Sequence, residues 1–184
     1  MQEMELKAII NLENFKKKLE SIGAVFIKKG LQRDFSFDFP DGRIWNKKET
    51  LRVRFIGEEA VLSWKGKKEI IDGYKVRDEE EVKIQDGKKM MSVFEKLGMR
   101  VRYRRDLNVE YYELNECILR TEVYPQMFDL VELEGTPEKM EETIKLLNME
   151  RKDFLKEGIN YFMRLFEKET GKKAKICDSN ENLL

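Results

Sequence analysis

The sequence contains no histidine. That absence removes the usual general base of neutral pH, the Ser-His and Cys-His nucleophile systems and the commonest zinc ligand. Cysteine is scarce: Cys117 and Cys177 are the only two, far apart and without C-x-x-C spacing. They could close at most one disulfide and read instead as thiols of a reduced, cytoplasmic protein. Net charge is missing as well, because 36 Lys+Arg are matched by 36 Asp+Glu. The basic excess that nucleic acid or an anionic membrane surface requires is therefore not there. No apolar run reaches the roughly 20 residues of a membrane span, and no basic-then-apolar leader opens the chain. The expectation is a soluble domain with neither a nucleic-acid nor a membrane partner.

What is present is charge in a pattern. At 184 residues, 39% charged and 41% hydrophobic, the chain suits one sizeable domain. Four amphipathic helices are predicted. One follows Asn11 with Leu12, Phe15, Leu19 and Ile22 inward and Gly23 as its stop. A second carries Met90, Phe94 and Leu97 before Gly98, and a third is capped by Thr136 with Pro137 in its first turn. The fourth runs from about Phe154 to Glu169. Strands outnumber helices about two to one, mostly in consecutive runs, so the class is α+β with an antiparallel sheet. Residues 1–170 form the domain, and 171–184, without a pattern, are expected to be a flexible tail.

The strands sort their charges by face. Glu3, Glu5 and Lys7 alternate with Met4, Leu6 and Ala8; Arg52 and Arg54 alternate with Leu51, Val53 and Phe55. Lys75, Arg77, Glu79, Glu81 and Lys83 share one face, as do Glu132 and Glu134, and Arg102 and Arg104 lie opposite Val101 and Tyr103. An E-x-E strand followed shortly by a helix occurs three times, a weak internal repeat. Taken singly, each charged face reads as the solvated side of a sheet. Taken together, with helices over the apolar faces, they read as the interior of a closed barrel. Unpaired charges there would be costly, so such an interior calls for ligands of both signs. Clustered glutamates suit a hard divalent cation, Mg²⁺ or Mn²⁺. Clustered arginines and lysines suit a polyanion, whose phosphate oxygens match guanidinium forks.

The order of motifs resembles the CyaB–thiamine triphosphatase (CYTH) superfamily of triphosphate tunnel enzymes. E-M-E-L-K is similar to its N-terminal E-x-E-x-K. L-Q-R-D-F-S-F-D resembles its Q-x-D-x-Y-F-D strand, through Gln32, Asp34, Phe37 and Asp38, with Ser36 in place of the usual tyrosine. L-R-V-R, L-S-W-K-G, R-D-E-E-E-V, V-R-Y-R-R and V-E-L-E-G follow in the family's order, and Tyr161 sits in a similar C-terminal helix. The resemblance implies a closed eight-stranded antiparallel barrel, the triphosphate tunnel, with helices outside. By position it implies Glu3, Glu5, Glu132 and Glu134 as metal ligands, joined by Glu122 where the family has aspartate. Lys7, Arg52, Arg54, Lys65 and Arg77 would clamp the triphosphate. In the basic strand, alternation favours Arg102 and Arg104, whereas one alignment favours Arg105. Glu79 and Glu81 would orient the clamp or hold a second metal. The family also allows a homodimer.

With no histidine, the base must be a carboxylate, a desolvated lysine or metal-activated water. Glu79, Glu81 and Lys75 are the candidates, and Lys7, Arg52 and their neighbours would stabilise developing phosphate charge. Three functions stay open. Hydrolysis of an inorganic, nucleoside or organic triphosphate is favoured. The alternatives are an adenylyl cyclase making cyclic AMP and pyrophosphate, and a non-catalytic polyphosphate-binding module.

Overall fold

The computed structural model describes residues 2–178. Among the described residues nine strands and five α-helices follow one another. The strands are β1 (Gln2–Ile9), β2 (Val25–Asp38), β3 (Thr50–Ile56), β4 (Glu59–Lys65), β5 (Glu69–Ile71), β6 (Tyr74–Ile84), β7 (Arg100–Leu114), β8 (Cys117–Val123) and β9 (Leu130–Glu134). The helices are α1 (Leu12–Ser21), α2 (Arg43–Asn46), α3 (Gly87–Lys96), α4 (Pro137–Leu146) and α5 (Ile159–Thr170).

Eight strands pair antiparallel in the order β1-β9-β8-β7-β2-β3-β4-β6, and β6 returns to β1 through pairs such as Glu3 with Arg77. The sheet thus closes into a barrel with the helices outside, and the short β5 adds to β6 alone. The three E-x-E strands, far apart in sequence, are neighbours: β1 lies between β6 and β9, with Glu5 directly opposite Glu134.

Alternation explains the two faces. The apolar outer positions of β1, β8 and β9 pack under α1 and α4, where Leu6, Ala8, Leu119, Val131 and Leu133 meet Leu19, Met140 and Ile144. Phe35, Phe37 and Val53 are covered by Met91 and Phe94 of α3. Gly87 opens α3 because a Cβ there would stand 2.4 Å from Phe55 Cε1. The caps fall where the sequence places them: Asn11 Oδ1 accepts from Asn14 N at 3.0 Å and Thr136 Oγ1 from Lys139 N at 3.4 Å.

Two elements differ from expectation. The last helix begins only after Gly158, because Leu155 exchanges backbone hydrogen bonds with Lys7 of β1. The four-residue α2 has too short a pattern to read. It is organised by Asp38, whose carboxylate accepts from the backbone N–H groups of Phe39, Ile44 and Trp45 at 2.8–3.0 Å. Of the expected tail 171–184, residues 179–184 lie outside the described residues. Within 171–178, Lys175 pairs with Gln126, Ile176 is buried, and Asp106 Oδ2 accepts from Asp178 N at 2.9 Å. Both cysteines are free thiols. Among the described residues no helix is long and apolar enough to cross a membrane.

Candidate functional site

Most of the charged inner face is withdrawn from solvent, with Glu81 at its edge exposed. Glu5 is 4% exposed, Arg52 5% and Glu122 fully buried. Burial of this depth requires counter-charges, and the barrel wall supplies them.

One carboxylate organises the basic wall. Asp34, on β2 between β3 and β7, accepts from Arg54 Nε at 2.9 Å, from Arg105 at 2.5 Å and from Arg52 at 3.4 Å. Gln32, itself held by Tyr111 OH, donates to it as well. Burial alone would raise the Asp34 pKa, but Arg54, Arg52 and Arg105 outweigh it and hold the carboxyl well below its usual range. Burial and the neighbouring Arg54 bring Arg52 down to about 10, which leaves it charged at neutral pH.

A closed ring of four charges spans the middle. Lys7 bonds Glu122 and Glu132, and Arg120 bonds the same two carboxylates, all at 2.5–2.7 Å. Against the penalty of burial, Lys7 and Arg120 bring the Glu122 pKa to about 2. Lys75 pairs with Glu5, and Lys65 pairs with Glu3 at 2.6 Å and Glu79 at 2.9 Å. For Glu5, burial and Glu132 act upward but Lys75, Lys7 and Lys65 prevail, so its pKa is lowered. Glu3 and Glu134 behave oppositely. Burial, then Glu5, lifts Glu3 to about 7, and burial with Glu3 and Glu132 lifts Glu134 to about 7. That end of the barrel carries more negative charge than its lysines offset.

Two cavities follow this division. One, of about 360 Å³, is lined by Arg52, Arg54, Lys75, Arg77 and Arg105 and opens beside α2 and the start of α5. The other, of about 430 Å³, is lined by Glu3, Glu79, Glu80, Glu81 and Glu134. Arg54, Lys65, Arg120 and Glu132 border both.

The structure brings together Glu3, Glu5, Lys7, Arg52, Arg54, Lys65, Lys75, Arg77, Glu79, Glu81, Arg105, Glu122, Glu132 and Glu134 on the inner face. Arg104 is a correction. A register shift between β2 and β7 at Ser36/Phe37 breaks the alternation. Arg105 and Tyr103 therefore face inward, while Arg104 turns outward to Asp106 at 2.8 Å and lies over the Phe35 ring. Arg102 stands at the rim, stacked on Trp45 of α2. Residues beyond the expected set also belong to these walls, among them Asp34, Arg120 and Trp45. Arg120 is two positions from Glu122 on one strand face, a signal the sequence did carry.

The donor set suits a hard divalent cation in type, all oxygen and in excess of nearby positive charge at Glu3 and Glu134. As they stand, no three of the described carboxylates gather closely enough to enclose an ion, because Glu3, Glu5, Glu122 and Glu132 are engaged with lysine and arginine.

The fold and site define a closed antiparallel barrel whose interior is divided between guanidinium and carboxylate walls. Comparison with known proteins agrees: the CYTH domain model matches residues 1–158, and the chain belongs to the CYTH family. A Methanocaldococcus jannaschii protein named "Putative adenylate cyclase MJ0240" is 30% identical over 170 residues, covering 86% of this chain and 96% of its own. Among solved structures, the PH1819 protein of Pyrococcus horikoshii is similar at 25% identity and TM-score 0.71, covering 90% of this chain and 99% of that one. The Hippeastrum protein titled "Putative adenylyl cyclase HpAC1", with a dominant triphosphatase activity, shares the fold at 20% identity and TM-score 0.66, covering 91% of this chain and 96% of that one.

Proposed function

We propose that the chain is a divalent-metal-dependent hydrolase of triphosphates. The observation that carries this reading is the fan of Arg52, Arg54 and Arg105 held by the single carboxylate of Asp34 on the wall of the 360 Å³ cavity. Three guanidiniums preorganised in a water-poor wall present donors to anionic oxygens with little reorganisation. Lys75 and Arg77 extend the same wall. Together they bind the phosphate chain, orient it, and offset charge developing on the leaving oxygen.

Glu3, Glu5, Glu122, Glu132 and Glu134 would hold Mg²⁺ or Mn²⁺, which when bound would neutralise phosphate charge and polarise the attacking water. Of the three candidate proton acceptors, only Lys75 lines the basic cavity; Glu79 and Glu81 line the acidic one. Burial lowers the Lys75 pKa although Glu5 opposes the shift, and its amine would accept a water proton only once its own is released.

One observation favours the cyclase reading. Trp45 is 52% exposed at the rim of the basic cavity, with Arg102 over its ring at 5.1 Å, and a planar base would find an aromatic face there. The names of relatives span both activities. Phosphorus NMR of the protein with Mg²⁺ and either tripolyphosphate or ATP tests the proposal. Orthophosphate with pyrophosphate or ADP supports hydrolysis. Cyclic AMP with pyrophosphate would replace it with the cyclase, and absence of turnover would refute both.

A further inference from the structure

Arg120 sits on β8 opposite Tyr111 and borders both cavities. Its side chain is nine-tenths buried, and its Nε has no hydrogen-bond partner among the described residues. With Lys7 it closes the ring on Glu122 and Glu132: two cations, two anions, no net charge. The ring constrains what can enter. A divalent cation arriving alone must draw the carboxylates away and strand two buried cations. A triphosphate arriving alone must draw off the cations and strand two buried carboxylates. Either state leaves unpaired charge among side chains that are nine-tenths buried or more, which is strongly unfavourable. When both arrive, partners exchange: carboxylates pass to the metal, Lys7 and Arg120 pass to phosphate oxygens, and every charge is again matched.

From this ring we propose that Arg120 is a positioning residue that makes metal and triphosphate binding depend on each other. The proposal rests on the metal-and-triphosphate reading above. Removing a cation from the ring leaves a carboxylate excess, which favours metal alone. Removing an anion leaves a cation excess, which favours triphosphate alone. The two changes move opposite affinities, which loss of a merely structural contact would not do.

The test uses the full chain. Free Mn²⁺ is followed by electron paramagnetic resonance without phosphate, and tripolyphosphate binding by calorimetry without metal. Arg120→Gln is expected to bind Mn²⁺ about tenfold more tightly than wild type and tripolyphosphate about tenfold more weakly. Glu122→Gln is expected to shift both the other way, and it carries the test if Arg120→Gln does not fold. Mn²⁺ binding to Arg120→Gln no tighter than wild type, or tripolyphosphate binding to Glu122→Gln no tighter, overturns the proposal. If wild type binds both ligands and the variants do not differ from it, only the role of Arg120 falls. If wild type binds neither, even with both present, the functional reading falls with it.

Discussion

Substituting Asp34 with asparagine keeps its shape and removes its charge. Arg52, Arg54 and Arg105 would then face one another in the wall without the carboxylate they share. Removing one partner from a buried ion pair costs about 3–5 kcal/mol. At about 2–4 °C per kcal/mol for a chain of this length, the melting temperature of Asp34→Asn should fall by roughly 6–20 °C at neutral pH. Because the folded-state pKa of Asp34 is depressed, its contribution is full above about pH 4 and is lost as pH falls further through that depressed value. The wild-type advantage should therefore shrink on acidification. Tripolyphosphate would supply the missing anion, so it should raise the melting temperature of the variant more than that of wild type. Thermal melts with and without tripolyphosphate, across pH, measure all of this. A drop smaller than about 3 °C, or equal ligand stabilisation in both proteins, would refute the shared-carboxylate argument.

Other perturbations probe the remaining walls. The pKa values of Glu3 and Glu134 are raised to about 7, so their contribution to stability is full below the ordinary carboxylate range and lost as pH rises through 7. The metal-free protein should lose melting temperature between about pH 4 and 8, and Glu134→Gln should flatten that slope; an unchanged slope contradicts the assignment. Arg105→Gln should weaken tripolyphosphate binding in calorimetry by about tenfold or more, whereas Arg104→Gln should leave it unaltered. The reverse ranking would overturn the register of β7. Arg54→Ala should lower kcat/KM for tripolyphosphate by about 10²–10³-fold, and retention of most activity would remove it from the site. Gly87→Ala places a methyl 2.4 Å from Phe55 Cε1 and 2.8 Å from Ala60 Cβ. It should cost about 1–3 kcal/mol in chemical denaturation with tripolyphosphate affinity intact; unaltered stability would show that Phe55 yields freely.

Much of this was legible in the residues, for a physical reason. In β1, β3 and β9 alternation survives, so Glu3/Glu5 and Arg52/Arg54 each share a face; that this face looks inward followed only from the strands taken together. In β7 the register shift opposite Ser36 and Phe37 defeats the same rule, and Arg104 exchanges places with Arg105. Helix caps at Asn11 and Thr136 were readable because side chain and backbone act within three residues. The recurrence of E-x-E suggested repeated units; pairing across the closure of the barrel, which no local pattern reports, makes them neighbours instead. Asp34 and Trp45 act through partners distant in sequence. Asp34 gathers arginines from two other strands, and Trp45 rides on a helix too short for periodicity to register.

The place of β1 between β6 and β9 has a consequence for folding order. Its hydrogen-bond partners include residues 130–134, so the first strand synthesised finds one of its neighbours only after most of the chain exists. Closure of so long a loop is entropically slow. Until then Met4, Leu6 and Ala8 lack the cover of α4, and a half-paired strand with an apolar face is a template for misassociation. The same strand brings Glu3, Glu5 and Lys7 to the interior. Closing the barrel and assembling the charged chamber therefore depend on the same strand.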